Sequence, residues 1–464
     1  MINSINFQKP TIMSKRVFRR KIYQKLLEWK EQDNGSTALL IEGARRVGKS
    51  TIVEEFAKNE YKSYILIDFS IASKAIKDLF LDISNLDMLF TNLQVNCGVS
   101  LIPGKSLIIF DEIQKCPSAR QAIKHLVKDG RFHYIETGSL LGIKMKRRPN
   151  ADGTKTLIPS EERRVTMYPM DYEEFRWALG DTATMPLIKN IFEQWTPLGD
   201  ATNRKLMRDF RLYVLVGGMP QAVNTYLDTL DLSRVDQIKR NIINLYDSDF
   251  YELDSSGKTS MLFHAIPAQL NSNASRYKVS SVIEGGRTDR LTLPISILRE
   301  SMTTNIAYHS NDPSTGLAMH INPDCFKLYC GDTGIFVTLA FWDSDFTSNV
   351  IYQKFLTDKL TADLGYVYEN IVSQMLVATG KRLYYHTWPT EDEKRNYEVD
   401  FLIPDRGKVS VIEVKSSQSK QHTSIDKFIQ KYSSRIQQSY LIHGKDLRKD
   451  GSVKCVPFYM TPFL

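Results

Sequence analysis

The chain has 464 residues, of which 42 % are hydrophobic and 25 % are charged, and its formal net charge is +8. This composition is typical of a soluble globular protein. The length predicts roughly two to four domains. The mild positive charge permits contact with nucleic acid without requiring it. The five cysteines include no Cys-x-x-Cys pair, which argues against a disulfide framework or a zinc ribbon. The sequence has no apolar run of transmembrane length and no signal-peptide pattern, so we expect a cytoplasmic protein without membrane contact.

The first predicted element is a basic amphipathic helix at residues 16–32, with Val17, Ile22, Leu26 and Trp29 on its apolar face. Short apolar strands and helices then alternate, which is typical of a parallel sheet covered by helices on both faces. We therefore expect an α/β domain over residues 16–184. Its predicted strands are Ala38–Glu42, Ser63–Phe69, Leu107–Phe110 and His133–Thr137, and its predicted helices are Ser50–Lys58 and Arg120–Lys128.

Beyond this domain the pattern divides into three further segments. Residues 185–255 read as helices, and residues 256–345 read as short helices followed by two strands, Thr304–His309 and Phe326–Tyr329. Residues 346–464 return to alternation and predict a second, smaller α/β unit. Its expected strands are Arg382–Thr387, Val399–Ile403, Val409–Val414 and Gln438–Ile442.

A phosphate-binding loop follows the first predicted strand. The segment from Gly43 to Thr51 matches the pattern G-x-x-x-x-G-K-[ST], in which backbone N–H groups surround phosphates. Lys49 is expected to reach the β- and γ-phosphates, and Ser50 is expected to hold Mg²⁺. The helix that follows adds its positive N-terminal end. The sequence therefore predicts ATP binding by Gly43, Ala44, Arg45, Arg46, Val47, Gly48, Lys49, Ser50 and Thr51.

Two adjacent carboxylates, Asp111 and Glu112, end the buried strand Leu107–Phe110. Asp111 is expected to bind Mg²⁺ at the carboxyl end of its strand. Glu112 is expected to polarise the attacking water. A kinase needs no such water base, so the pair favours ATP hydrolysis over the weaker alternative of a small-molecule kinase.

The strand at residues 133–137 ends in small polar groups, and Ser139 or Thr137 is a candidate for sensing the γ-phosphate or holding the water. Asp68 ends the second strand, where it joins the Mg²⁺ shell or, as we favour, forms a cap. Several arginines are candidates for stabilising charge in the transition state, and the sequence does not choose among them. These are Arg45, Arg46, Arg163 and Arg164.

Near the C-terminus, the stretch from Glu398 to Lys415 predicts a β-hairpin whose turn is Pro404–Gly407. If Ile403 pairs with Ser410, antiparallel register places Asp400 opposite Glu413. Lys415 then shares the face of Glu413.

Buried carboxylates on an apolar sheet are costly unless they bind something, so Asp400 and Glu413 predict a site for Mg²⁺ or Mn²⁺. Lys415 is expected to act beside the metal-bound water, and Glu369, on a predicted helix, to complete the ligands. The alternative is that Glu413 and Lys415 form an exposed pair and Asp400 caps a turn.

This set of residues resembles the PD-(D/E)xK nuclease signature of the restriction-endonuclease-like fold, with Glu369 as the helical acid. The N-terminal half resembles AAA-type prokaryotic ATPases fused to such a domain, whose C-terminal part is a domain of unknown function. The resemblance implies a winged helix in residues 256–345, with Asp289–Met302 as its recognition-type helix. Further agreement lies in Met167–Phe175, Val216–Pro220, Ile266-Pro267 with Gln269-Leu270, Phe326–Tyr329 and Asp332–Gly334.

Two functions remain open on the sequence. One is an ATP-driven protein that couples nucleotide state to a nucleic-acid-binding domain, with DNA as partner and nuclease activity undecided. The other is a switch or signalling ATPase whose nuclease-like domain is catalytically inactive and only binds. Oligomerisation is compatible with either function.

Overall fold

The computed structural model describes residues 16–138, 160–272, 274–343, 355, 365–416 and 423–464. In this part of the chain, five strands form a wholly parallel sheet in the order β2-β3-β4-β1-β5. Alternate residues of β1 and β3 pack into cores on opposite faces, which confirms the two-sided α/β layer. The strands are β1 Ala38–Glu42, β2 Ser63–Asp68, β3 Ser106–Asp111, β4 His133–Gly138 and β5 Glu162–Thr166.

The helices of this domain pack on both faces of the sheet. They are α1 Ile22–Gln32, α2 Lys49–Glu60, α3 Lys74–Asp78, α4 Leu86–Cys97 and α5 Pro117–Asp129. The first helix begins at Ile22 instead of residue 16. The reason is tertiary: the N–H of Lys21 donates to Glu174 Oε1 at 2.6 Å, and the Arg20 side chain is drawn inward to backbone carbonyls. These contacts outweigh the helical propensity of the preceding residues.

A helical segment follows, as predicted for residues 185–255. Its longest member, α10, spans 22 residues and begins at the N-cap Asp231, whose side chain accepts from the backbone N–H of Ser233. The helices of the segment and its flanks are α6 Tyr172–Ala178, α7 Thr184–Gln194, α8 Asp200–Val216, α9 Pro220–Thr229, α10 Leu232–Leu253, α11 Lys258–His264, α12 Ile266–Asn271 and α13 Thr292–Glu300.

The C-terminal half is built on a mixed sheet, in which eight strands of the described chain have the order β12-β13-β11-β10-β9-β8-β6-β7. The strands are β6 Thr304–Ser310, β7 Ile321–Cys330, β8 Leu383–Pro389, β9 Asn396–Asp405, β10 Lys408–Val414, β11 Ile436–His443, β12 Arg448–Asp450 and β13 Val453–Pro457. Three helices of this half are α14 Thr333–Ala340, α15 Gly365–Ala378 and α16 Thr423–Tyr432.

This sheet includes strands of residues 256–345, the segment in which the resemblance implies a winged helix. Strands β6 and β7 of that segment are members of the C-terminal sheet, and β6 pairs in parallel with β8 across the predicted boundary. The predicted recognition helix 289–302 is also shorter, since α13 begins at Thr292 after a 3-10 turn, Thr288–Leu291. Ile297 and Leu298 of α13 are buried, so one of its faces belongs to the core.

One hydrophobic core joins the helical segment to the C-terminal half. Phe458 stacks on Tyr368 of α15 with ring centroids 4.2 Å apart and lies parallel to Phe210 of α8 at 6.3 Å. At the same junction Gly217 adopts φ +81°, and a Cβ on Gly334 would lie only 2.7 Å from its Cα. Glycine is therefore required at both positions, because a side chain at either one would push the two segments apart.

Within the described ranges, the helices are all too short or too polar to cross a bilayer.

Candidate functional site

The predicted phosphate loop connects β1 to α2, and two of its residues have a positive φ. Arg46 has φ +71° and Gly48 has φ +98°, so both residues turn the chain away from a regular path. Gly43 lies against the chain after β5, where a Cβ would meet the Met167 carbonyl oxygen at 2.3 Å. The loop is thus shaped by close backbone packing before any ligand arrives.

Lys49 is buried at the start of α2 and points back into the loop. Its Nζ donates to the carbonyl oxygens of Gly43 at 2.9 Å and Ala44 at 3.0 Å. Burial lowers the pKa of Lys49 to about 8, against the opposing influence of the Glu112 and Asp111 carboxylates. The ammonium has only partial neutralisation here, so an anionic phosphate is a favourable partner for it.

The two predicted Mg²⁺ residues of the N-terminal domain lie together. Ser50 Oγ donates to Asp111 Oδ1 at 2.9 Å, and the Thr137 hydroxyl donates to the same oxygen. Hydroxyl and carboxylate oxygens are the ligands that Mg²⁺ prefers, and this ion usually keeps several waters and shares substrate phosphates. Ser50 and Asp111 therefore fit a Mg²⁺ ion, which would neutralise charge on the phosphates of ATP.

Glu112 lies beside this pair in a strained backbone conformation, with φ +53°. The side chain of Gln114 donates through Nε2 to Glu112 Oε2, which fixes the direction of the carboxylate. Gln114 was not anticipated from the sequence. Its spacing from the acidic pair, with a 3-10 turn at Ile113–Lys115 between strand and helix, is the signal that could have suggested it.

A cavity of 770 Å³ opens beside these residues and has the size of a nucleotide site. Arg45 and Arg46 line it, whereas Arg163 pairs with Asp33 at 2.9 Å on the outer strand of the sheet. Arg164 likewise pairs with Glu162 at 2.8 Å. The candidates for a charge-stabilising arginine therefore reduce to Arg45 and Arg46.

The remaining polar candidates separate in the same way. Asp68 lines the cavity, and its Oδ1 accepts from the Ser70 N–H at 2.8 Å, so it caps the turn after β2 as favoured. Ser139 lies outside the described residues. Thr137, its alternative in the sequence, is the residue that contacts Asp111.

Helix α10 forms a wall of the cavity that the motifs did not reveal. Arg45 Nη1 lies 2.6 Å from Asp249 Oδ1, and the Tyr246 hydroxyl donates to the Arg45 carbonyl at 3.1 Å. Lys115, just after the acidic pair, lies 3.2 Å from Glu252. Positions 246, 249 and 252 lie on one helical face. That face therefore contacts both the phosphate loop and the segment after the acidic pair.

The basic N-terminal residues are engaged within the chain. Buried Arg20 donates to the carbonyls of Val47 at 2.8 Å and Tyr168 at 2.6 Å, which fixes the phosphate loop from behind. The other contacts pair Arg16 with Asp228, Lys21 with Asp171 and Lys30 with Glu60, and place Arg19 over the ring of Trp177. A DNA partner stays a prediction, without support from this helix.

In the C-terminal half the predicted hairpin register is confirmed. Ser410 pairs with Ile403, and Ile412 pairs with Phe401. The Val414 N–H donates to Asp400 Oδ2 at 2.7 Å, as expected when Asp400 and Glu413 are opposite neighbours. Lys415 Nζ lies 2.6 Å from Glu413 Oε1.

A lysine that the sequence did not single out completes the cluster around these residues. Lys327 of β7 is only 7 % exposed, and its Nζ lies 3.1 Å from Glu369 Oε1 and 2.5 Å from Glu398 Oε1. The hydroxyl of Tyr329 donates to the same oxygen of Glu369. We call Lys327, Glu369, Glu398, Asp400, Glu413 and Lys415 the acidic cluster. In the sequence, the only local signal for the role of Lys327 is its alternation with Tyr329 among apolar residues.

The ionisation of the cluster follows from burial and from this lysine. Burial raises the pKa of Asp400 well above its usual range, and the nearby Glu369 carboxylate adds to the effect. Burial would lower the pKa of Lys327, but Glu369, Glu398 and Asp400 outweigh it and hold that pKa above its ordinary value. Lys327 is therefore a charged ammonium among carboxylates.

The oxygens of the predicted metal site have protein partners. Glu413 Oε2 accepts from the Ile425 N–H at 3.1 Å, and its other oxygen faces Lys415. Over the described ranges, no group of three His, Cys, Asp or Glu side chains is arranged to hold an ion. The residues predicted as ligands, Glu369, Asp400 and Glu413, converge, but as folded they do not fit a shared Mg²⁺ or Mn²⁺.

Three protein-family models match separate parts of the chain. Residues 35–176 match the model of an AAA domain. This match agrees with the phosphate loop and the parallel sheet of the N-terminal domain. Residues 207–345 and 364–460 match two models that are each described as a domain of unknown function, DUF8612 and DUF4143. No curated protein matches the chain.

Among solved structures, the Walker-type ATPase PABY2304 of Pyrococcus abyssi is 16 % identical, with a TM-score of 0.42, over 72 % of this chain and 99 % of that one. The RuvB Holliday junction branch migration motor of Thermotoga maritima is 12 % identical, with a TM-score of 0.27, over 62 % and 89 %. Protein VC1899 of Vibrio cholerae is 12 % identical, with a TM-score of 0.18, over 92 % and 95 %. Similarities this weak carry no argument about function.

Proposed function

We propose that this protein hydrolyses Mg²⁺-ATP and uses the nucleotide state to control its C-terminal half through helix α10. The observation that carries the hydrolytic part is the convergence of Ser50, Thr137 and Glu112 around Asp111 at one edge of the sheet. This edge is the carboxyl end of the strands, where open α/β sheets bind ligands.

The chemistry follows from the position of each group. Lys49 exchanges its two carbonyl partners for phosphate oxygens, which an ammonium with a lowered pKa favours. Glu112 accepts a hydrogen bond from the attacking water and is held in direction by Gln114. Water attacks the γ-phosphorus in line, the bond to the β-phosphate oxygen breaks, and ADP and inorganic phosphate leave.

Two substitutions separate binding from hydrolysis. Lys49→Ala is expected to lose tight ATP binding, whereas Glu112→Gln is expected to keep binding and lose most turnover, because an amide is a poor acceptor for the water proton. Calorimetry measures binding, and phosphate release measures turnover. Equal loss of binding in both variants would show that Glu112 is part of the binding site and not the water base.

The control part of the proposal rests on the two ends of α10. One end contacts the nucleotide site through Tyr246 and Asp249. At the other end, Asp236 accepts from the Thr338 hydroxyl of α14 at 2.7 Å, and Arg240 donates to the Trp342 carbonyl at 2.9 Å.

From α14 the contacts continue into the C-terminal half. The Thr333 N–H at the start of α14 donates to Gln374 Oε1 of α15 at 2.7 Å, and α15 carries Glu369. A rigid helix that shares polar contacts with both sites is a physical route for coupling, provided that it has two arrangements.

Amide hydrogen exchange tests this route in the same two variants. With ATP present, Glu112→Gln should change protection along α10 and α15 relative to the nucleotide-free protein, and Lys49→Ala should not. If both variants exchange alike in α15 while Glu112→Gln holds ATP, hydrolysis stands and the control of the C-terminal half does not.

The acidic cluster favours a binding role for the C-terminal half over cleavage of nucleic acid, because its carboxylates already have cationic and N–H partners. DNA remains the predicted partner from the sequence. Salt-dependent duplex binding, with a slope of several phosphate contacts, is the expected result. Binding that does not change between low and physiological ionic strength would count against a DNA partner.

A further inference from the structure

We infer that Lys327 is a built-in cation that takes the place of a divalent metal in the acidic cluster, so that the C-terminal half is closed to metal as it folds. The inference concerns the cluster alone and stands whether or not the N-terminal domain hydrolyses ATP.

The position of the ammonium is the first argument. Lys327 extends from β7 and contacts one carboxylate on helix α15, Glu369, and another on strand β9, Glu398. Its charge also acts on Asp400, a member of the same cluster. A single cation thus bridges acids from a helix and from the hairpin, which is the bridging position that a metal ion would need.

The second argument is that at least one oxygen of each carboxylate in the cluster has another partner. Glu369 Oε1 binds both Lys327 and the Tyr329 hydroxyl. Asp400 Oδ2 accepts from the backbone N–H of Val414. The two oxygens of Glu413 face Lys415 and the Ile425 N–H. A divalent ion requires several oxygen ligands at roughly 2.0–2.6 Å, so it would compete with the two lysines and the N–H donors for these carboxylates.

The third argument is burial. The Lys327 side chain is 7 % exposed, and its ammonium lies 5.5 Å from the centre of the Tyr385 ring. It has less room to move aside for an ion than Lys415, whose side chain is 35 % exposed. Two like-charged cations within a few ångströms in a poorly solvated site repel each other strongly. Lys327 therefore excludes metal by both position and charge.

Manganese binding to the nucleotide-free, full-length protein tests the inference, measured by equilibrium dialysis with MnCl₂. Wild type and Asp400→Asn should bind the same amount of Mn²⁺. Lys327→Met should gain one site, at least about tenfold tighter than any manganese the wild type holds in the cluster, because the resident charge is gone. Adding Asp400→Asn to Lys327→Met should remove the gained site.

Lys415→Met is the matched control, because it removes the other lysine of the cluster and should gain no manganese. Ser50→Ala identifies any manganese held at the phosphate loop. Loss of one Mn²⁺ from wild type on Asp400→Asn would overturn the inference, as would a folded Lys327→Met protein with no gained site. If Lys327→Met does not fold, the comparison of wild type with Asp400→Asn decides: equal binding supports the inference.

Discussion

The phosphate loop and the acidic cluster each contain a buried lysine near carboxylates, and the two lysines differ in how far they are neutralised. Lys49 rests on two carbonyl oxygens beside an open cavity, and burial lowers its pKa to about 8. Lys327 lies between two carboxylates, which hold its pKa above the ordinary value.

This difference separates a cation that awaits a ligand from one that already has its partners. Burying a charge is costly, and the cost is offset only by compensating charges or hydrogen bonds. At Lys49 the compensation is incomplete until phosphate arrives, so binding energy is available there. At Lys327 the compensation is complete in the folded chain, so the charge contributes to the fold instead.

The largest expected effect is on stability and distinguishes the two lysines directly. Lys327→Ala should lower the free energy of unfolding by about 3–5 kcal/mol, because it leaves carboxylates buried without their cation. Lys49→Ala should change it by less than about 1 kcal/mol in the absence of nucleotide, because it removes an under-neutralised charge. Denaturant midpoints of the two purified variants measure both, and equal losses would break the comparison.

The second effect is on the pH dependence of nucleotide affinity. The pKa of Lys49 is about 8 without nucleotide, and phosphates raise it on binding, so the complex takes up a proton above pH 8. Affinity should be constant below that pH and fall by up to about tenfold per pH unit above it, until the pKa of the complex is reached.

Calorimetry in two buffers of different ionisation enthalpy measures the proton uptake at pH 9. Lys49→Arg, which stays charged, should flatten the profile. An unchanged slope in that variant would assign the titration to another group.

The smallest effect concerns the ion pair between Arg45 and Asp249, whose side chains are 41 % and 29 % exposed. Because solvent screens such a pair, Asp249→Asn should cost less than about 1 kcal/mol of unfolding free energy. In Asp249→Asn, the ATP-dependent protection of the α15 amides from hydrogen exchange should nevertheless be smaller than in the wild type. Wild-type protection in the variant would remove this pair from the coupling route, and Asp231→Asn, at the far end of α10, is the control.

Local patterns predicted much of both sites. The glycines and Lys49 define the phosphate loop, and the carboxyl ends of parallel strands meet at one sheet edge, so Ser50 and Asp111 could be placed together across 61 positions. The turn residues of the hairpin likewise predicted the pairing of Ser410 with Ile403. In each case the positions of the side chains follow from the regular geometry of one kind of structure, a parallel sheet or an antiparallel hairpin.

The features that sequence reasoning missed depend on contacts between distant elements. Lys327 is one basic residue in an apolar strand, and only the position of β7 beside α15 and β9 gives it a role. The contact of Arg20, in the predicted basic helix, with the phosphate loop was likewise not evident from the sequence. A pattern of charged residues in the sequence does not identify the partner of each charge. Tertiary packing decides whether a charged side chain contacts solvent, a ligand or another part of the protein.

The parallel pairing of β6 with β8 also affects the order in which the strands can pair while the chain is synthesised on the ribosome. Once β6 and β7 have emerged, the free edge of β6 must wait until β8, which begins at Leu383, has been made. At roughly 5–20 residues per second this wait lasts several seconds. During that interval an unpaired strand edge is open to other nascent chains. A chain stopped after residue 345 would keep that edge permanently and should need a chaperone to stay in solution.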